Sequence, residues 1–159
     1  MSEVVSSEKE TKEAKFAKVY SQIESLISNE NYLISNLANV CAVLKTEFDF
    51  LWVGFYLVED EKLLLGPFQG PIACTRIEKG RGVCGTCWER KEAIIVADVH
   101  KFPGHIACCS LSKSEIVVPL IENDEVFAVL DIDSETLNSF DEIDKVNLEK
   151  IVRLIKITR

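Results

Sequence analysis

The chain has 159 residues, 47% of them apolar, which is the usual size of one globular domain able to bury a core without disulfides or metals. Its 18 Lys and Arg face 26 Asp and Glu, and the resulting charge of -8 repels phosphate backbones and anionic lipid, so nucleic acid and membrane surfaces are excluded as expected partners. No apolar run approaches the ~18 residues of a membrane span, and the opening MSEVVSSEKETKEAKF has neither a basic nor an apolar leader region, so a cytoplasmic protein is expected.

Residues 1–8 are polar and are expected to be a disordered N-terminus ahead of a single domain over 9–159. Phe16, Val19, Tyr20, Ile23, Leu26 and Ile27 recur at helical spacing, and Leu33, Leu37, Val40, Cys41 and Leu44 do so again after Ser28–Asn31. The pattern predicts two amphipathic helices, with Cys41 as a small core residue of the second. The period then shortens: 50–58, 62–68, 93–99, 115–121 and 125–133 read as strands, the last two joined by a tight hairpin at Glu122-Asn123-Asp124. Ser139 with Glu142 reads as a capping box opening a last helix, whose apolar face holds Ile143, Leu148, Ile151, Val152 and Ile155. Helices from both ends packed on one face of a mainly antiparallel sheet give an α+β fold.

Two long connections, roughly 69–92 and 100–114, hold both histidines and every cysteine except Cys41. Long loops inside a compact domain usually carry function. Six cysteines in a reducing compartment point to metal binding, thiol chemistry or core packing rather than a structural disulfide framework. Cys84-x-x-Cys87 and His105-x-x-Cys108 lie 17 residues apart and could close a tetrahedral zinc site, although an apolar strand runs between them. A thioredoxin-like dithiol needs a strand feeding directly into Cys-x-x-Cys, and here Arg76–Gly82 reads as a loop. A short helix over Thr86–Lys91 would still let a helix start polarise Cys84.

Two further patterns carry chemistry. Trp52, Gly54 and Tyr56 alternate on one strand face, so two aromatics flank a position without a side chain. Asp131 and Asp133 share one face of another strand, opposite Leu130 and Ile132.

In order and spacing, LWVGFYL, LGPFQGPIAC, GRGVCG, ADVHKFPGHIAC, SEIVVPL and VLDIDS resemble the free methionine-(R)-sulfoxide reductases, a family of single GAF domains. The resemblance implies a GAF-like fold, reduction of the R epimer of free methionine sulfoxide, no metal or organic cofactor, and thioredoxin as the electron donor. It matches Cys74, Cys84 and Cys108 to the family's three redox cysteines, and Glu115, Asp131 and Asp133 to its pocket acids. Trp52 and Tyr56 would then form an aromatic wall for the methyl-thioether end of the substrate. Asp131 is assigned to the substrate ammonium, and Glu115 with Asp133 to the sulfoxide oxygen. The substrate carboxylate needs backbone N–H groups or a helix start, with the Gly104–Ala107 loop as a candidate.

Cys108 is taken as the nucleophile and Cys74 as its resolving partner, with Cys84 the alternative in either role. His100 and His105 read as loop scaffolding, His105 being near enough in sequence to tune Cys108. Cys87 and Cys109 stand where the family pattern has a small residue and an acidic residue, which adds two thiols to the possible pairings. Two other function classes share these features: a GAF module that binds a small molecule without turning it over, and a zinc-stabilised interaction domain. A homodimer is open to any of the three.

Overall fold

A computed structural model of the chain describes residues 9–106 and 108–157, so the expected disorder of residues 1–8 lies outside the described residues. Helices α1 (Lys12–Ile27) and α2 (Leu33–Glu47) come first, followed by strands β1 (Trp52–Glu59), β2 (Lys62–Gln69) and β3 (Arg76–Glu78). Helix α3 (Gly82–Arg90), strands β4 (Ile94–Val96), β5 (Ser114–Glu122) and β6 (Glu125–Ser134), and helix α4 (Glu142–Val152) complete the order. The six strands form one sheet in the order β3-β2-β1-β6-β5-β4, with every neighbouring pair antiparallel. Among the described residues no helix is long and apolar enough to cross a membrane.

The two-residue period of the strands splits the core in two. Val53 and Phe55 of β1, Ile116, Val118 and Leu120 of β5, and Leu130 and Ile132 of β6 face α1, α2 and α4, where they meet Phe16, Ile23, Leu37, Leu44 and Leu148. The intervening residues Trp52, Tyr56, Val117 and Val129 face the other way and pack with Val83, Cys84, Cys87 and Trp88 of α3. The terminal helices therefore share one face of the sheet, and α3 covers part of the opposite face. Both hairpins turn on two residues with positive φ, Asp60-Glu61 and Asn123-Asp124, the backbone form that matches the twist of paired strands.

Three local readings change. The helix in the first long connection starts at Gly82, not Thr86, and Arg76–Glu78 is a strand rather than loop. Glycine at 85 allows α3 to approach β3 closely, since a Cβ there would lie 2.4 Å from the Glu78 carbonyl oxygen. The strand expected over 93–99 is confined to Ile94–Val96, and Asp98 caps a single 3₁₀ turn over Val99–Lys101 through its side chain and the His100 N–H.

The capping box of α4 is Asp141 with Asp144, not Ser139 with Glu142. Asp141 accepts from the N–H groups of Ile143 and Asp144, and the Asp144 carboxylate accepts from the Asp141 N–H at 2.9 Å. Lys12 of α1 bridges both carboxylates, so this cap also ties the first helix to the last. Ser139 joins a hydroxyl cluster with Ser134 and Thr136.

Gly54 is the tightest point on the site face. A Cβ there would lie 2.3 Å from the Trp52 ring and 2.5 Å from the Phe68 Cβ. Gly54→Ala is expected to destabilise the fold by about 1–3 kcal/mol through overpacking, read as a lower thermal midpoint together with a shift in tryptophan emission as the indole is displaced.

Candidate active site

Antiparallel register sets the acids side by side. Across β5, β6 and β1, Glu115 pairs with Asp133 and Asp133 with Trp52; in the next row on the same face, Val117 pairs with Asp131 and Asp131 with Gly54. Since Gly54 has no side chain, the Trp52 indole swings over it, so the expected open gap between the aromatics is filled by the indole itself. That ring stacks on Phe68 at 5.2 Å and lies 6.0 Å from Tyr56. Its N–H donates to the Pro71 carbonyl, and the Tyr56 hydroxyl donates to the Cys74 carbonyl at 2.9 Å. Both aromatics are thus held by the segment that carries Cys74.

Trp52 and Tyr56 line a cavity of about 60 Å³ together with Cys84, Cys108, Cys109, His105, Glu115, Asp131 and Asp133. That is several times the ~10–15 Å³ that one water needs on the same measure. Ile106 of the Gly104–Ala107 loop also lines the cavity, whereas sequence reasoning missed Ile72, Ile77, Arg81 and Ser112. Ser112 donates to Asp133 at 2.8 Å from outside any strand, and no pattern in the sequence links two residues 21 positions apart. Arg81 was hidden by the misplaced start of α3, of which it is the N-terminal flanking residue.

Burial governs the charge state of this face. Glu115 and Asp133 are pushed well above the usual carboxylate range by loss of water, then by the neighbouring Asp131 charge. Asp131 is pushed up by burial as well, but hydrogen bonds from the Glu115 carboxyl and the Cys84 thiol pull it back. Glu115 and Asp133 are therefore the proton holders and Asp131 the group that ionises first. One Asp131 oxygen, Oδ1, is buried without a partner.

The cysteines separate clearly. Cys74 and Cys108 are joined by a disulfide with Cα atoms 5.7 Å apart, and of the two Cys108 lines the cavity. Cys84 sits in the first turn of α3 with a free thiol, yet burial and the charges of Asp131, Glu115 and Asp133 raise its pKa well above the ordinary value. The polarisation expected from the helix start is outweighed by desolvation and by three nearby acids. Cys87 faces the apolar packing under α3 and is fully buried, its pKa likewise raised by burial. Cys109 is half-buried on the cavity wall.

The zinc quartet Cys84, Cys87, His105 and Cys108 is not assembled, because the Cys108 sulfur is bonded to Cys74 and Cys87 points into the core. His105 lines the cavity, with its pKa lowered by burial and then by His100, whose ring lies 6.4 Å away. Ala107 of the proposed carboxylate loop lies outside the described residues. Gly82, Val83 and Cys84, the opening of α3, also line the cavity, and no side chain caps the helix there.

A GAF domain is the class that this sheet, its helices and its pocket define. The family model described as GAF domain matches residues 36–158, and the chain belongs to that family. Within it the chain sits among the free methionine-R-sulfoxide reductases. It is 45% identical over 138 residues to the protein of that name from Escherichia coli, covering 86% of this chain and 84% of the relative. It is 58% identical over 156 residues to GAF domain-containing protein A of Dictyostelium discoideum, covering 98% of this chain and 99% of the relative. The solved structure of a free methionine-R-sulfoxide reductase from Neisseria meningitidis in complex with its substrate superposes with a TM-score of 0.91 at 49% identity, covering 93% of this chain and 90% of that one.

The raised carboxyl pKa values make stability depend on pH. Glu115, Asp131 and Asp133 bind protons more tightly folded than unfolded, so their contribution is whole below about pH 4 and is lost as the pH rises through the folded-state values. The thermal midpoint is expected to fall as the pH rises above the ordinary carboxylate range of about 4. Asp131→Asn should flatten that fall and raise the midpoint at the alkaline end, a result read from circular dichroism melts of both proteins across the range.

Proposed function

We propose that the protein reduces the R epimer of free methionine sulfoxide to methionine, with Cys108 as nucleophile and Cys74 as the resolving thiol. The observation that carries this reading is the arrangement around Cys108: its sulfur lies on a cavity shared with Trp52, Tyr56, Glu115, Asp131 and Asp133, and its partner in the disulfide is Cys74. The aromatic wall suits a methyl-thioether end, and Asp131, which ionises first of the three acids, suits an ammonium. Glu115 and Asp133 hold protons that can be given to the sulfoxide oxygen. The uncapped start of α3 and the exposed Arg81 suit the substrate carboxylate.

The reaction then runs in three balanced steps. The Cys108 thiolate attacks the sulfoxide sulfur while a carboxyl protonates the oxygen, and the S–O bond breaks to give methionine and a Cys108 sulfenic acid. The Cys74 thiol displaces water from the sulfenic acid to form the disulfide. A dithiol donor, thioredoxin in this reading, returns both cysteines to thiols and is itself oxidised. No metal or organic cofactor enters, and the setting is the cytoplasm, whose reducing poise keeps the donor charged. Cys84 stays protonated beside Asp131 as part of the acid array rather than as a redox partner.

Thiol counting tests the sequence of steps. Protein first reduced and then freed of reductant should lose two thiols on addition of free methionine-(R)-sulfoxide and none with the S epimer. Cys108→Ser should abolish the loss and release no methionine, whereas Cys74→Ser should release one methionine per chain and stop. Unchanged thiol counts with bound ligand would mean a binding module without turnover.

The acids divide in a kinetic test. Glu115→Gln is expected to lower kcat by about 10²–10⁴-fold through loss of a proton donor, while Asp131→Asn should act chiefly on KM through loss of the ammonium partner. An N-acetylated sulfoxide, lacking that ammonium, should be a poor substrate for the unaltered protein.

A further inference from the structure

We infer that Cys84, Glu115 and Asp131 form a binding site for a zinc ion. One ligand atom from each of the three lies within 4.8 Å of the others, and all three residues are buried. They come from three rigid elements, the first turn of α3, β5 and β6, so their separation is fixed by the packing of the helix on the sheet. A second observation points to a ligand independently: Asp131 is only 6% exposed, and its Oδ1 has no hydrogen-bond partner while the residue lines the cavity. A buried carboxylate oxygen left unpaired loses the full solvation it had in water, and a cation is the partner that restores most of it.

The donor set selects the metal. One thiolate and two carboxylates suit zinc, which takes sulfur and oxygen together, whereas magnesium and calcium require oxygen alone. Ligand atoms in a tetrahedral zinc site stand roughly 3.3–3.8 Å apart at ordinary bond lengths, so small side-chain rotations within the 4.8 Å span suffice. Binding sends the Cys84 thiol proton and the proton held by Glu115 to solvent and leaves the fourth position open to the cavity, where a water completes the tetrahedron. This set differs from the spaced cysteine and histidine quartet in sequence, since Cys84 alone is common to both. In the reading of the cavity as a methionine sulfoxide pocket, on which this consequence rests, zinc occupies the place of the substrate ammonium beside Asp131 and blocks the site.

Cobalt(II) is the probe, titrated into the full chain with the Cys74–Cys108 disulfide intact, so that no added thiol competes for metal. One cobalt per chain with a thiolate-to-cobalt charge-transfer band is expected, displaced by one equivalent of zinc and insensitive to excess magnesium. Cys84→Ser should remove the band, and Asp131→Asn should weaken cobalt binding at least about tenfold even if the serine variant folds poorly. Cys109→Ser and Cys87→Ala should retain the band. A folded protein that gives no charge-transfer band, a band that survives Cys84→Ser, or one lost with Cys109→Ser would overturn the site. Methionine sulfoxide should displace the cobalt. A Cys84-dependent band that free methionine sulfoxide leaves untouched, in a protein without turnover, defeats the substrate reading and leaves the metal site standing.

Discussion

Three carboxyl groups and a thiol share one water-poor face of the sheet, and of the described residues lining their cavity only Arg81, itself exposed, carries a permanent positive charge. A buried anion without a partner is costly, so this face reaches neutrality either by holding protons or by admitting a cation. Both routes are chemically useful. Held protons make Glu115 and Asp133 acids at a pH where an exposed carboxyl has none to give, and the unpartnered oxygen of Asp131 makes a place for a cationic group. The same deficit underlies both the proposed ammonium site and the inferred zinc site, because either cation would answer it.

Concentrating the acids in this way depends on the stiffness of the opposite face. Val53, Phe55, Ile116, Leu130 and Ile132 alternate with the site residues along the same strands and are locked against α1, α2 and α4. A one-residue slip in register would exchange the two faces and bury apolar side chains where the acids now stand. Gly54 contributes by absence: its missing Cβ lets the indole lie across the strand, next to Asp131 and stacked on Phe68.

Sulfur chemistry is divided between different kinds of structure. Cys84 and Cys87 belong to a packed helix, where burial keeps their thiols protonated. Cys74 and Cys108 lie on two connections outside the regular elements, and one covalent bond joins those connections. A disulfide there can open and close without unpacking a helix or a strand. The connection bearing Cys74 also holds Trp52 and Tyr56 through the carbonyls of Pro71 and Cys74, so opening the bond bears on the aromatic wall.

Periodicity and turn chemistry, which are local, set the terminal helices, four of the strands, the Asn123-Asp124 hairpin and the α+β class, and the chain alone showed them. The ordered blocks of residues also identified Trp52, Tyr56, Cys74, Cys84, Cys108, Glu115, Asp131 and Asp133 as site candidates. Tertiary structure decided the rest: that Glu115 stands opposite Asp133, that Ser112 reaches Asp133, that Asp141 rather than Ser139 caps the last helix, and that α3 begins at Gly82. Above all it decided protonation. A helix start argues for a low thiol pKa at Cys84, and that is the only influence visible along the chain. The acids that reverse it lie on β5 and β6, and desolvation and Coulomb repulsion depend on distances in space that sequence separation does not encode.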